Sequence, residues 1–108
     1  MKYKMSNNIG FQVKDVNEAK EFYEKVFGFK QPSDSQVQEI EFRTEHHSIF
    51  LIEGEENLGP VLEIIVEDLE EARKHLLENH FTIVRWEGKG NDCYVRDPYG
   101  MIYNLWES

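Results

Sequence analysis

Residues 9–19 of the chain read IGFQVKDVNEA, and residues 62–72 repeat the same pattern as LEIIVEDLEEA. Each stretch opens with alternating apolar residues, the two-residue period of a strand that buries one face. Each then reaches an Asp that is followed three residues later by Glu, which is typical of a helix N-cap whose Glu bonds back to the first free amide. The repeat predicts two copies of a strand that leads into a helix.

The hydrophobic pattern beyond each helix changes from a period of 3.6 to a period of 2. The first helix carries an apolar stripe and ends at Gly28, which can adopt the left-handed conformation, and the second ends near Asn79. Up to three strands then follow in each half. They are expected at 39–43, 49–52, 81–86, 93–97 and 101–106.

The predicted fold class is α+β, with two tandem βαβββ modules at about 5–54 and about 59–108. A helix that packs on one face of its own strands leaves the other face open, and two such units join edge to edge. We therefore expect a curved mixed sheet around a cleft, with one helix per module on the convex face. A chain of 108 residues supports one hydrophobic core, so 1–108 is expected to be a single domain.

The charge of the chain limits its partners. It has 12 Lys and Arg against 21 Asp and Glu, a net charge of -9. The resulting field repels phosphate backbones and anionic lipid and attracts cationic small molecules. We therefore expect a small-molecule ligand as the partner, and neither nucleic acid nor a membrane.

The cysteine content and the first residues indicate a reducing compartment. Cys93 is the only cysteine, so neither an intramolecular disulfide nor a cysteine zinc cluster can form. The first residues lack the apolar run of a signal peptide, and no apolar stretch approaches the ~20 residues that span a bilayer. We expect a cytoplasmic location.

Further segments extend the repeat over nearly the whole chain. They are VKDV at 13–16, FY at 22–23, FGF at 27–29, VEDL at 66–69 and VRDPYGMIYNL at 95–105. In this order they resemble the vicinal oxygen chelate superfamily, which contains glyoxalase I, extradiol dioxygenases, fosfomycin-resistance enzymes and bleomycin-resistance proteins. The Asp-Pro-x-Gly turn at 97–100, which enters the last strand, is the most specific segment. The resemblance implies paired βαβββ modules around a cleft and, from the bleomycin-resistance branch, a homodimer.

The resemblance also implies where a metal would bind. Metalloenzymes of that superfamily are similar in presenting His or Glu to a divalent metal from four cleft positions, two per module. Here these positions correspond to Asn8, Val61, Asn104 and, with a register uncertain by a residue or two, Ser48, Phe50 or Leu51. Valine cannot ligate, and a carboxamide seldom holds a transition metal without His or carboxylate neighbours. We therefore expect no metal, no other cofactor and no catalytic residue.

A non-standard metal site is an open alternative. His46 and His47 are adjacent, so in a strand they point to opposite faces, although a turn would remove that objection. His75 and His80 are five residues apart and do not share a helix face. Glu63, and Glu53 slightly beyond the fourth family position, remain as carboxylates for such a site.

Strand alternation predicts a polar, partly acidic surface with aromatic rings at its edge. The ligand-binding residues expected there are Asn8, Gln12, Glu39, Glu41, Arg43, Glu63, Tyr94, Arg96, Asn104 and Trp106. Such groups suit a ligand with amide or amine groups and flat rings. Trp86 is a further candidate, Tyr103 and Leu105 face the helix, and Trp106 has packing in the core or at a subunit interface as its alternative role.

Structural roles compete with ligand binding at the charged positions. Glu63 interrupts an apolar strand, so it either pairs with Arg43 or Arg96 or receives a cationic or hydrogen-bond-donating ligand. Glu39 and Glu41 are alternatively the solvated face of an outer strand.

Three functions are compatible with these patterns. The first is a metal-free small-molecule binding protein that resembles the bleomycin-resistance branch, antibiotic-resistance-like in character, and sequesters a cationic or amide-rich, ring-containing ligand. The alternative is an enzyme that resembles glyoxalase-type isomerases, lyases or thiol transferases, with Glu63 as base beside a metal at a degenerate site. A third is a small interaction or regulatory module whose own side chains close the cleft.

Overall fold

The computed structural model describes residues 2–35, 38–54 and 59–108. It contains seven strands and two helices, α1 (Val16–Phe27) and α2 (Leu69–Glu78). The strands are β1 (Tyr3–Val13), β2 (Ile40–Arg43), β3 (Ser48–Glu53), β4 (Gly59–Val66), β5 (Thr82–Trp86), β6 (Cys93–Arg96) and β7 (Ile102–Glu107). The α+β class is therefore confirmed. The order βαβββ is complete from β4 to β7, whereas two strands follow α1 in the described part of the first half.

The chain divides into two compact units. One is Asn7–Val61, and the other is Leu62–Ser108 together with the N-terminal residues up to Ser6. In the first unit the strand order is β2-β3-β1, with β1 parallel and β2 antiparallel to β3. In the second it is β4-β7-β6-β5, with β6 antiparallel to both of its partners β5 and β7.

Both helices begin at the predicted Asp caps. The Asp15 carboxylate accepts hydrogen bonds from the backbone N–H groups of Asn17 at 3.1 Å and Glu18 at 3.0 Å. Asp68 accepts one from the N–H of Glu71 at 2.9 Å. These bonds satisfy amides that have no partner inside the helix, and the negative charge favours the helix N-terminus.

The two helices end differently. Gly28 has a φ of 70° and donates its N–H to the carbonyl of Glu24 at 3.1 Å, as predicted for a left-handed helix end. At the end of α2 the cap is Asn79, and the left-handed residue is His80, with a φ of 69°. That conformation is uncommon for a residue with a Cβ atom, and no sequence pattern marked it.

Each unit has its own hydrophobic core against its own helix. The first core consists of Phe42, Ile49 and Leu51, with partly buried Phe11, Val16, Ala19, Tyr23, Phe29 and Ile40. The second consists of Val66, Leu69, Ala72, Leu76, Cys93, Val95 and Leu105, with partly buried Tyr3, Ile64, Phe81, Ile83, Trp86 and Tyr103. The helix-facing positions expected for Tyr103 and Leu105 are therefore confirmed, and Cys93 is buried.

Trp86 lies on the face of the sheet that packs against α2, and not on the opposite face, where it was a candidate ligand contact. Its ring packs against the second core, and the guanidinium carbon of Arg73 lies 5.1 Å from the ring centroid. The cause is a bulge in β5 between Ile83 and Arg85, which shifts the alternation so that Trp86 pairs with Cys93. Among the described residues, neither helix is long and apolar enough to cross a membrane.

Candidate functional site

The first unit brings polar residues of three strands to one face of its sheet. Asn8, Gly10 and Gln12 of β1 lie opposite Ser48, Phe50 and Ile52 of β3, and Glu41 and Arg43 of β2 lie opposite Phe50 and Ser48. Paired residues share a face, and the residues between them pack against α1. We call this surface, which faces away from α1, the β1–β3 face. It contains four of the predicted ligand-binding residues, Asn8, Gln12, Glu41 and Arg43.

Glu41 is held inside this face. It is 4% exposed, so the expectation of a solvated side chain is wrong at this position. Its Oε1 accepts a hydrogen bond from the Ser35 hydroxyl at 3.0 Å, and its Oε2 accepts from Nη2 of Arg43 at 3.0 Å. Because charge-assisted bonds replace the lost water, burial of the carboxylate is compensated. Glu39 lies in the bend before β2 and is exposed.

Arg43 is committed to neighbours in the same unit. Its Nη2 donates to Glu41, and its Nη1 donates to Oδ1 of Asp34 at 2.8 Å. The hydrogen bond to Glu41, followed by the charge of Asp34, raises the pKa of Arg43 above its ordinary value. Glu41 and Asp34 are therefore the acidic partners of Arg43 within the first unit. Glu63 is half-buried on β4 and has an interaction of its own.

Gln12 differs from Glu41 in having an unsatisfied polar atom. Its side chain is 6% exposed, and its Oε1 is buried without a hydrogen-bond partner in the described parts of the chain. A buried acceptor without a donor costs about 1–3 kcal/mol. This oxygen is the point on the β1–β3 face at which a hydrogen-bond donor from a ligand would recover free energy.

The strand register leaves Ser48 and Phe50, but not Leu51, as candidates for the fourth position that the resemblance implies. Asn8 lies opposite Ser48, and Gly10 lies opposite Phe50, so either of these β3 residues is on the β1–β3 face. Leu51 lies opposite Phe11 and belongs to the core under α1. Glu53, two residues further along the strand, has the same orientation as Leu51 and is not on the β1–β3 face.

Hydrocarbon groups lie close to Gly10, two residues after Asn8 on β1. A Cβ atom at Gly10 would lie 2.6 Å from Cδ1 of Ile52 and 3.6 Å from Cβ of Val61. Val61 is 3% exposed. A divalent metal needs several carboxylate, imidazole or thiolate ligands, and valine, serine and carboxamide side chains do not fit that requirement. Within residues 2–35, 38–54 and 59–108, no group of three or more His, Cys, Asp or Glu could hold a metal ion.

The second unit has its own face opposite α2. Tyr94 of β6 lies opposite Asn104 of β7, and both face away from the core that contains Cys93. Tyr94 is 2% exposed, and the Asn104 Oδ1 accepts the backbone N–H of Cys93 at 3.0 Å. Both side chains therefore stabilise the sheet. Arg96 and Trp106 are the exposed members of the predicted set in this unit.

The Asp-Pro-Tyr-Gly turn is held by one carboxylate. Asp97 Oδ1 accepts the N–H groups of Tyr99 and Met101, each at 2.9 Å, and Oδ2 accepts the Tyr103 hydroxyl at 2.8 Å. Desolvation raises the pKa of Asp97, but the hydrogen bonds from Met101, Tyr103 and Tyr99 outweigh it and leave the pKa below its ordinary value. The most specific segment of the resemblance is therefore a structural turn.

His46 and His47 lie in the first unit, whereas His75 lies in the second. His46 and His47 are exposed in the turn between β2 and β3, with His46 Nε2 3.6 Å from a Glu45 oxygen. In the second unit, Nδ1 of His75 lies 2.7 Å from the Tyr3 hydroxyl, and the two rings stack.

The first unit also contains a cavity of about 720 Å³ that the sequence did not predict. It is lined by residues 11–15, by Glu18, Ala19, Phe22 and Tyr23 of α1, and by Gly59 and Pro60 at the start of β4. Its volume lies in the range of small-molecule sites. The sequence analysis placed Phe22 in the apolar stripe of α1, but it gave no signal for a cavity there.

Comparison with known proteins agrees with this strand order and these motifs. The sequence profile of the Glyoxalase/Bleomycin resistance protein/Dioxygenase superfamily matches residues 6–105. The chain belongs to this superfamily. The match spans most of both units of this superfamily member. A search of curated protein sequences finds no match.

Solved structures share the fold of this superfamily member at low sequence identity. A hypothetical protein from Bacillus halodurans C-125 is 18% identical, with a TM-score of 0.61 over 100% of this chain and 96% of that one. NAD-dependent benzaldehyde dehydrogenase from Legionella pneumophila is 17% identical, with a TM-score of 0.64 over 94% and 98%. Streptomyces coelicolor methylmalonyl-CoA epimerase is 14% identical, with a TM-score of 0.58 over 99% of each chain. These likenesses show the fold alone.

Proposed function

We propose that the chain is a metal-free small-molecule binding protein of the glyoxalase/bleomycin-resistance type. Its ligand is cationic or amide-rich, contains a flat ring, and contacts the β1–β3 face. The orphaned acceptor of Gln12 carries this proposal, because a buried oxygen without a donor favours a ligand that supplies an N–H group. The chain is expected to sequester this ligand without converting it.

The chemistry of the surrounding side chains supports binding without a metal. Ile52 and Val61 place hydrocarbon beside Gly10, and the partner of Asn8 on β3 is the neutral Ser48. Such a surface offers hydrogen bonds and apolar contact, but no set of anionic or imidazole ligands. The competing hypothesis, a metal-dependent isomerase, lyase or thiol transferase, needs that set.

The test is ligand-dependent thermal unfolding of protein that has been stripped of metal with EDTA. Benzamide and benzamidinium are suitable probes, because each joins a flat ring to N–H donors, and benzoate is the matched ring without donors. At ten times Kd, a ligand that binds only the folded state should raise Tm by about 5 °C. We expect this rise for benzamide and benzamidinium and none for benzoate.

A pair of variants locates the bound probe. Gln12→Met removes the acceptor with little change of shape and should abolish the rise in Tm. Gln31→Met changes an exposed glutamine outside the β1–β3 face and should leave it intact. Stabilisation that disappears after EDTA treatment and returns with Zn²⁺, Ni²⁺ or Mn²⁺ would instead support the enzyme hypothesis. If the probes raised the Tm of Gln12→Met as much as that of the native chain, the proposed contact with Gln12 would be contradicted.

A further inference from the structure

The cavity lies where β1 leads into α1, and its described lining shares only Gln12 with the β1–β3 face. Phe11 belongs to the core under α1, and Val13 shares its side of the strand, whereas Gln12 between them belongs to the β1–β3 face. The volume of about 720 Å³ exceeds what one bound water needs and suits a small organic molecule.

Aromatic rings form one wall of this cavity. The ring of Tyr23 is the centre of the group, with the Phe11 centroid at 5.6 Å and the Phe22 centroid at 5.5 Å. Phe22 meets Tyr23 edge-on at 82° and is 53% exposed. A flat ring that enters the cavity would cover exposed Phe22 surface and complete the aromatic cluster, which favours binding through apolar burial and ring contacts.

The charge at the cavity favours a cation. Asp15 and Glu18 both line it, and Oδ1 of Asp15 is occupied by the amides at the start of α1. The Glu18 carboxylate has no ion pair or hydrogen bond to any residue that the structure describes. Lys14 also lines the cavity but has an interaction of its own. The two carboxylates outweigh the single charge of Lys14 together with the roughly half a positive charge of the helix N-terminus, so the local field attracts an ammonium group.

We propose that this cavity is a second ligand site, specific for a flat-ring compound with a primary ammonium group. The ring packs against Phe22 and Tyr23, and the ammonium group pairs with Glu18 while remaining within reach of the aromatic faces. Of the described lining residues, Gln12 alone also belongs to the β1–β3 face. The proposed contacts with Glu18, Phe22 and Tyr23 do not involve that face, so this site does not rest on the proposed function.

The test is a titration of the full chain with 2-phenylethylamine, which is an ammonium ion at neutral pH. Binding is measured by the NMR chemical shifts of the backbone amides. The neutral 2-phenylethanol is the matched probe. A probe of this size should bind with a Kd of about 1 mM. We expect the alcohol to bind about threefold to tenfold more weakly, because a partly exposed ion pair contributes little more than that. The amides of Ala19, Phe22 and Tyr23 should shift.

Variants of exposed residues keep the test free of folding defects. Glu18→Gln should remove the preference for the amine over the alcohol, whereas Glu21→Gln, on the same helix but outside the cavity, should retain it. Phe22→Ser should raise the Kd of both probes by about tenfold. Val26 is equally exposed but lies outside the cavity, so Val26→Ser should leave both Kd values unchanged.

Three outcomes would overturn the inference. One is the absence of saturable binding of 2-phenylethylamine up to about 20 mM. The others are an unchanged preference in Glu18→Gln and chemical shifts confined to the β1–β3 face. The benzamide experiment depends on Gln12, whereas this one depends on Glu18 and Phe22, so either proposal can fail without the other.

Discussion

Ile52 occupies the space that a side chain at Gly10 would need, since a Cβ atom there would lie 2.6 Å from Ile52 Cδ1. The absence of a side chain at residue 10 therefore allows the apolar packing of β1, β3 and Val61. The backbone of Gly10 is not in the left-handed region, so close approach, and not φ, requires glycine here.

Substitution of Gly10 by Ala should destabilise the chain by about 1 kcal/mol. The contact with Ile52 Cδ1 must be relieved by a rotamer change, and this overpacking outweighs the lower entropy of the unfolded chain. Urea unfolding of Gly10→Ala, Ile52→Val and the double variant gives the coupling free energy. Because Ile52→Val removes Cδ1, the Ala substitution should cost less in that background. Equal costs in both backgrounds would show that Ile52 is not the obstacle.

Arg43→Met should lower Tm clearly more than Arg85→Met. Arg43 is paired with the buried Glu41, whose carboxylate would be left with the Ser35 hydroxyl as its neighbour. Arg85 is paired at the surface with Glu87, which is 41% exposed, so its loss leaves no buried charge. Thermal unfolding of both variants checks the comparison. An equal effect would mean that Glu41 is not stabilised by Arg43, and Glu41→Gln should partly rescue Arg43→Met.

Asp97→Asn should lower stability at neutral pH and lose this effect in acid. The pKa of Asp97 is lowered in the folded chain, so its contribution is present above the unfolded pKa of about 3.9 and disappears as pH falls through the folded value. Urea midpoints at pH 7 and in steps below pH 4 measure the difference between Asn and Asp. The difference should shrink over the acid steps, and a pH-independent difference would contradict the role of the charge. Asp92→Asn is an acidic control outside this turn.

The local elements were predictable because their causes are local. Asp15 and Asp68 begin helices through amides two or three residues away, and Gly28 ends a helix through its own φ. Trp86 could not be placed, since a bulge in β5 depends on how that strand pairs with β6. After such a bulge, strand alternation in the sequence assigns each following side chain to the wrong face of the sheet.

The sequence predicted which residues of the first unit share the β1–β3 face, but not the hydrogen bonds that those residues make. Alternation brought Asn8, Gln12, Glu41 and Arg43 to the same face, as the strand register shows. It could not reveal that Ser35, in the loop before β2, helps to bury Glu41. Nor could it distinguish the satisfied carboxylate of Glu41 from the orphaned oxygen of Gln12, because hydrogen-bond partners depend on tertiary packing.

The free energy of unfolding of Gln12→Met, measured in urea with and without benzamide on metal-stripped protein, tests the central claim most directly. If the Gln12 oxygen is an acceptor that only a ligand satisfies, Gln12→Met without benzamide should be more stable than the native chain by about 1 kcal/mol, because an unsatisfied acceptor is removed. Benzamide should then stabilise the native chain and leave the variant unchanged. A free variant that is less stable, or one that benzamide stabilises as much as the native chain, would contradict the account.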